Sequence, residues 1–120
     1  FDPDEGTRLL GLEPTKIKRK GEGIPDGIPR TSSWILSTDK VINEFIDVYD
    51  MATELVAKLA PKTEAILEAI RRYSLVPCLE VVLWFSSDAE ESTPAIGFSK
   101  EVVLFLAKVG AFIDVDTYRQ

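Results

Sequence analysis

The apolar positions change period several times along the chain, and each change predicts an element. Asp2-Pro3-Asp4-Glu5 reads as a helix start, with Asp2 as N-cap, Pro3 at the first helical position and Glu5 at capping-box spacing. Leu9 and Leu10 supply the apolar face, Gly11 offers a positive-φ stop, and Glu13-Pro14 prevents a restart. Residues 15–20 then predict a solvated strand whose single apolar member is Ile17, and residues 32–37 predict a second strand. Between them, Gly23-Ile24-Pro25-Asp26 is repeated as Gly27-Ile28-Pro29-Arg30. Two prolines limit ladder pairing there, so 21–31 reads as a long hairpin connection.

The middle of the chain takes a helical period. Val41, Ile42, Phe45, Ile46, Tyr49, Leu55, Val56 and Leu59 recur at three- and four-residue spacing, which predicts a helix over 40–60. Pro61 lacks an N–H and clashes one turn back, so a second helix is expected over 61–74, with Ile66, Ile70 and Tyr73 on its inner face. Residues 78–86 predict a strand with Leu79, Val81, Leu83 and Phe85 toward the core and Glu80, Val82, Trp84 and Ser86 on the other side. A surface loop over 87–93 and a short strand over 95–98 follow. Ser99 caps a helix carrying Val102, Val103, Leu106 and Val109, and Gly110 ends it. The last strand, 111–118, alternates: Ala111, Ile113 and Val115 inward, Phe112, Asp114, Asp116 and Tyr118 outward. The pattern predicts an α+β fold, one domain over 1–120, in which a small, mainly antiparallel sheet carries helices on one face.

Composition narrows the function classes. Of 120 residues, 45% are hydrophobic and 28% charged, which fits a globular domain able to bury roughly two-thirds of its unfolded surface. Twenty acidic residues against fourteen basic ones leave a net charge of -6. Nucleic acid and anionic membrane both call for a positive field, so neither is expected as a partner. No stretch approaches the ~20 apolar residues of a membrane-spanning helix. There is no histidine, which removes Ser-His-Asp and Cys-His catalysis and the usual His-containing zinc sites. The one cysteine, Cys78, has no partner for an intramolecular disulfide, so a cytoplasmic location is expected. With no immediate Lys or Arg to lower its pKa, Cys78 reads as buried packing.

Few motifs carry chemistry. Gly21, Gly23 and Gly27 lack the spacing of a dinucleotide or P-loop cradle. Lys16, Lys18, Arg19 and Lys20, with Arg8 and Arg30, read either as a docking patch for an acidic group or as a solvated edge strand. Asp88, Glu90 and Glu91 lack calcium-loop spacing. Asp114 and Asp116 lie two apart on a strand and share a face, where Glu80 of a neighbouring strand could join them around a hard cation. If the last strand neighbours 78–86, then Trp84, Phe112 and Tyr118 share that face. An aromatic patch rimmed by acids suits a cationic protein partner; alternatively, another part of the fold covers it. Trp34 reads as core.

With these residues in place, the chain resembles a bacterial family, domain of unknown function 4279. The resemblance rests on Asp2-Pro3-Asp4-Glu5 leading to Leu10-Gly11, on Glu13-Pro14-Thr15 before Lys20-Gly21, and on Ser33-Trp34. It continues through Leu59-Ala60-Pro61-Lys62, Trp84-Phe85-Ser86-Ser87 and the closing Ile113-Asp114-Val115-Asp116-Thr117-Tyr118. Family members usually carry a strand just before the Asp-Pro-Asp-Glu helix, so the resemblance implies an upstream strand that this sequence lacks. It carries over no catalytic residue and no cofactor.

Three readings follow. The first is a non-enzymatic protein-binding domain that uses Glu80, Trp84, Asp114, Asp116 and Tyr118, with an immunity-type inhibitor of a basic toxin as its concrete form, by analogy of size and charge. The second is a small enzyme or a metal- or ligand-binding module on the Asp114/Asp116 face. The third is a homo-oligomer that pairs its aromatic face with itself.

Overall fold

The computed structural model describes residues 1–21, 32–41, 46–85 and 95–119. Helices and strands are both present, and the chain divides into two compact units. The first holds residues 1–38 and 62–75, the second 39–61 and 76–120. The repeat-bearing loop, Ile42, Phe45, Ser86 and the acidic loop with Asp88, Glu90 and Glu91 lie outside the described residues.

In the first unit, α1 (Pro3–Leu10) starts and stops where its capping residues dictate. The Asp2 carboxylate accepts the Asp4 N–H at 3.0 Å, and Gly11, at φ 67°, donates its N–H to the Thr7 carbonyl at 2.9 Å. Glu5 turns its carboxylate toward Arg8 rather than back to the cap. The antiparallel strands β1 (Lys16–Lys18) and β2 (Ser33–Ile35) set Ile17 opposite Trp34. Trp34 then explains a glycine that periodicity left unread. Its indole crosses α1 so closely that a Cβ on buried Gly6 would lie 3.3 Å from Cδ1, and its Nε1–H donates to Thr7 Oγ1 at 3.1 Å. A second helix of this unit, 63–73, packs on α1, buries Ala69 and brings Tyr73 within ring contact of Phe1, 5.6 Å between centroids.

In the second unit, α2 (Val48–Leu59) begins eight residues later than the apolar stripe predicts. Tertiary pairing explains the delay: Val48 N–H donates to Ala95 O and Ala95 N–H to Ile46 O, both at 2.9 Å, which holds Asp47 extended in a parallel bridge to Ala95. The Asp47 side chain then caps the helix, accepting the Asp50 N–H at 3.3 Å. Of the strand expected over 95–98, only Ala95 forms a bridge. As expected, Pro61 separates two helices; a turn of 3₁₀ helix spans Ala60–Lys62 before α3 (Thr63–Tyr73).

The core of this unit joins Ala52 and Val56 of α2 to Val102 and Leu106 of α4 (Lys100–Val109). Leu79, Phe98, Phe105 and Ala111 pack around that cluster. Val102 is wholly buried, worth about 2 kcal/mol of hydrophobic stabilisation. Val103, expected on the same face, is 51% exposed, because the 102–106–109 stripe leaves it about 100° round the helix. Ser99 Oγ caps α4 through the Val102 N–H at 3.4 Å, and Gly110 closes it at φ 71°.

Strands β3 (Cys78–Phe85) and β4 (Phe112–Arg119) pair in parallel over eight positions, from Cys78 opposite Phe112 to Phe85 opposite Arg119. The expected mainly antiparallel sheet is therefore not confirmed: one short pair is antiparallel and the longer one parallel. The difference lies in the connection. Helix α4 stands between β3 and β4 in sequence, and a helical crossover returns the chain to the end from which it started.

Candidate functional site

Side-chain alternation divides the β3–β4 pair into two faces. Leu79, Val81 and Phe85 are half-buried and Leu83 is buried, whereas Cys78, Glu80, Val82 and Trp84 are exposed. The apolar packing of the second unit therefore takes the odd-numbered side of β3, as the alternation predicts. On β4, Ala111 packs on the core cluster, but Ile113 and Val115, expected inward, remain 40% and 42% exposed.

Parallel register assembles the even-numbered face in rows. Cys78 stands beside Phe112, Glu80 beside Asp114, Val82 beside Asp116, and Trp84 beside Tyr118. The register brings all five expected site residues together: Glu80, Trp84, Asp114, Asp116 and Tyr118. Trp84 and Tyr118 stack, with ring centroids 4.6 Å apart and planes inclined by 24°. Both rings stay about half-exposed, as do Val82 and Phe112. Such a patch leaves large apolar area in contact with water.

The acids form the middle of this face. Glu80, Asp114 and Asp116 each offer one carboxylate oxygen such that all three lie within 4.8 Å of one another. Glu80 and Asp114 are direct cross-strand neighbours, an arrangement that sets like charge beside like charge. No described Lys or Arg forms an ion pair with any of the three. The arrangement suits an external positive group, whether a cationic side chain or a hard cation held by oxygen ligands.

Cys78 corrects the expectation of a buried thiol: it is exposed at the edge of this face. It shares the parity of Glu80, and that parity was the signal for its position. Desolvation first, then the negative charge of Asp114 and Glu80, holds its thiol above the ordinary value, so little of it is thiolate near neutral pH.

The basic cluster of the first unit resolves differently. Arg19 donates to Asp2 Oδ1 at 3.2 Å and Asp4 Oδ2 at 2.8 Å, which ties the end of β1 to the N-terminus of α1. Its guanidinium thus belongs to the local structure. Lys16, Lys18 and Lys20 are exposed, as on a solvated edge strand. Trp34, half-buried over Gly6, is a packing residue as expected.

No helix among the described residues is long and apolar enough to cross a membrane. Set against curated proteins and solved structures, the chain matches none. The model of one family, domain of unknown function DUF4279, matches residues 1–120, and the chain belongs to that family.

Proposed function

We propose that this chain is a non-enzymatic, cytoplasmic protein-binding domain whose β3–β4 face docks a basic partner. Its most concrete form is an immunity-type inhibitor of a basic toxin domain. One observation carries the reading: half-exposed Trp84, Tyr118, Val82 and Phe112 stand in register with three closely spaced carboxylates. Aromatic anchors bury large area at low entropic cost, and an acidic surface on a chain of net charge -6 steers a basic partner inward. Capture from a lysate of the source cells tests it, with the wild type and an Asp114→Lys/Asp116→Lys variant as baits. A basic protein held by the wild type, released by salt and absent from the variant supports the reading; equal capture by both baits contradicts it.

The carboxylate geometry favours one second reading, a divalent-cation or ligand site on Glu80, Asp114 and Asp116. Binding to the native state raises the melting temperature by mass action, so scans with magnesium, manganese and calcium test it. A shift with one ion, abolished in Asp114→Asn/Asp116→Asn, supports this reading; no shift with any of the three removes it.

A further inference from the structure

We propose that the β3–β4 face receives an arginine side chain, presented on an extended apolar segment of a basic protein. The proposal rests on the docking reading above and specifies the chemistry of the group at its centre. Size comes first. In a triangle whose sides are at most 4.8 Å, some point lies within about 2.8 Å of every corner, the N–H···O distance of a charged donor to a carboxylate. A cationic head, either one ammonium nitrogen with three N–H groups or several N–H groups of one guanidinium, can therefore donate to Glu80, Asp114 and Asp116 together.

The surroundings then select among cations. Same-face neighbours along a strand lie about 7 Å apart, so the stacked Trp84–Tyr118 row is two rows from Glu80–Asp114 and adjacent to Asp116. A guanidinium has donors on several sides for the acids, a flat face for an aromatic ring and an aliphatic stem to cover Val82. An ammonium is a compact, strongly hydrated charge with no flat face to lay on a ring once its three donors are taken by the acids. A hydrated divalent cation satisfies the acids but leaves Trp84, Tyr118, Val82 and Phe112 in water. A second copy of the same face would bring a second set of the same acids into one interface and supply no cation to pair with them. Charge and apolar area together thus favour arginine on an apolar strand.

Isothermal titration with three peptides tests the assignment. Each is extended, with valines flanking a central residue at alternate positions, and the central residue is arginine, lysine or citrulline. Citrulline keeps the shape of arginine and loses its charge. The arginine peptide should bind at least about tenfold more tightly than the citrulline peptide and about threefold more tightly than the lysine peptide. That preference should disappear in Asp114→Asn/Asp116→Asn and shrink in Trp84→Leu, each checked for folding by circular dichroism. Lysine binding as well as arginine overturns the arginine assignment and leaves a basic partner in place. Citrulline binding as well as arginine overturns the assignment and the charge-based docking reading together. Failure of the arginine peptide to bind overturns the assignment, while the lysate capture still decides the docking reading by itself.

Discussion

At the scale of single residues, the firmest case is Asp2. The Asp4 N–H it accepts, followed by its bond to Arg19, lowers its pKa against the opposing effect of desolvation. A carboxyl whose pKa is lower in the folded state contributes stability that is complete above its unfolded value and is lost as pH falls through the folded one. Asp2→Asn keeps the capping acceptor and removes the charge. The variant should therefore melt below the wild type at neutral pH and converge with it in acid, which melting curves across the acid range measure. Trp34 supplies a second case. Its indole N–H ends on Thr7 Oγ1 in a half-buried setting, so Thr7→Val should cost about 1 kcal/mol in chemical denaturation and shift the Trp34 indole NMR signal.

At the scale of elements, much was legible and the exceptions have specific causes. Caps, proline and terminal glycines are local signals, so α1, the break at Pro61 and the Ser99–Gly110 helix stand where the sequence places them. Gly110 occupies the left-handed region, where a Cβ is penalised, and Gly110→Ala should cost about 1 kcal/mol although nothing lies within 4 Å of the added Cβ. Val102→Ala, at the centre of the α2–α4 packing, should cost about 2 kcal/mol with an unchanged denaturant slope. What the sequence hid depends on distant partners. The late start of α2 follows from a bridge to Ala95, and the parallel register follows from a crossover that strand alternation cannot distinguish from a hairpin. The site face was legible because alternation sorts side chains by parity whichever direction the partner runs. Cys78 obeyed that parity too, against the general tendency of cysteine to be buried.

At the scale of the whole molecule, the charge balance sets what the proposed docking predicts. With twenty acidic and fourteen basic residues, and the acids of β3–β4 without a described counter-ion, association with a basic partner should accelerate at low salt and slow as salt rises. The central claim is that the partner sits on the β3–β4 face, and the two tryptophans make that claim directly measurable. Trp84 lies on the face, while Trp34 lies in the other unit with its indole N–H bonded to Thr7. The decisive measurement is an NMR titration of both indole signals with the captured basic partner. The account predicts that the Trp84 signal shifts and the Trp34 signal stays in place; movement of Trp34 with Trp84 unchanged would contradict it.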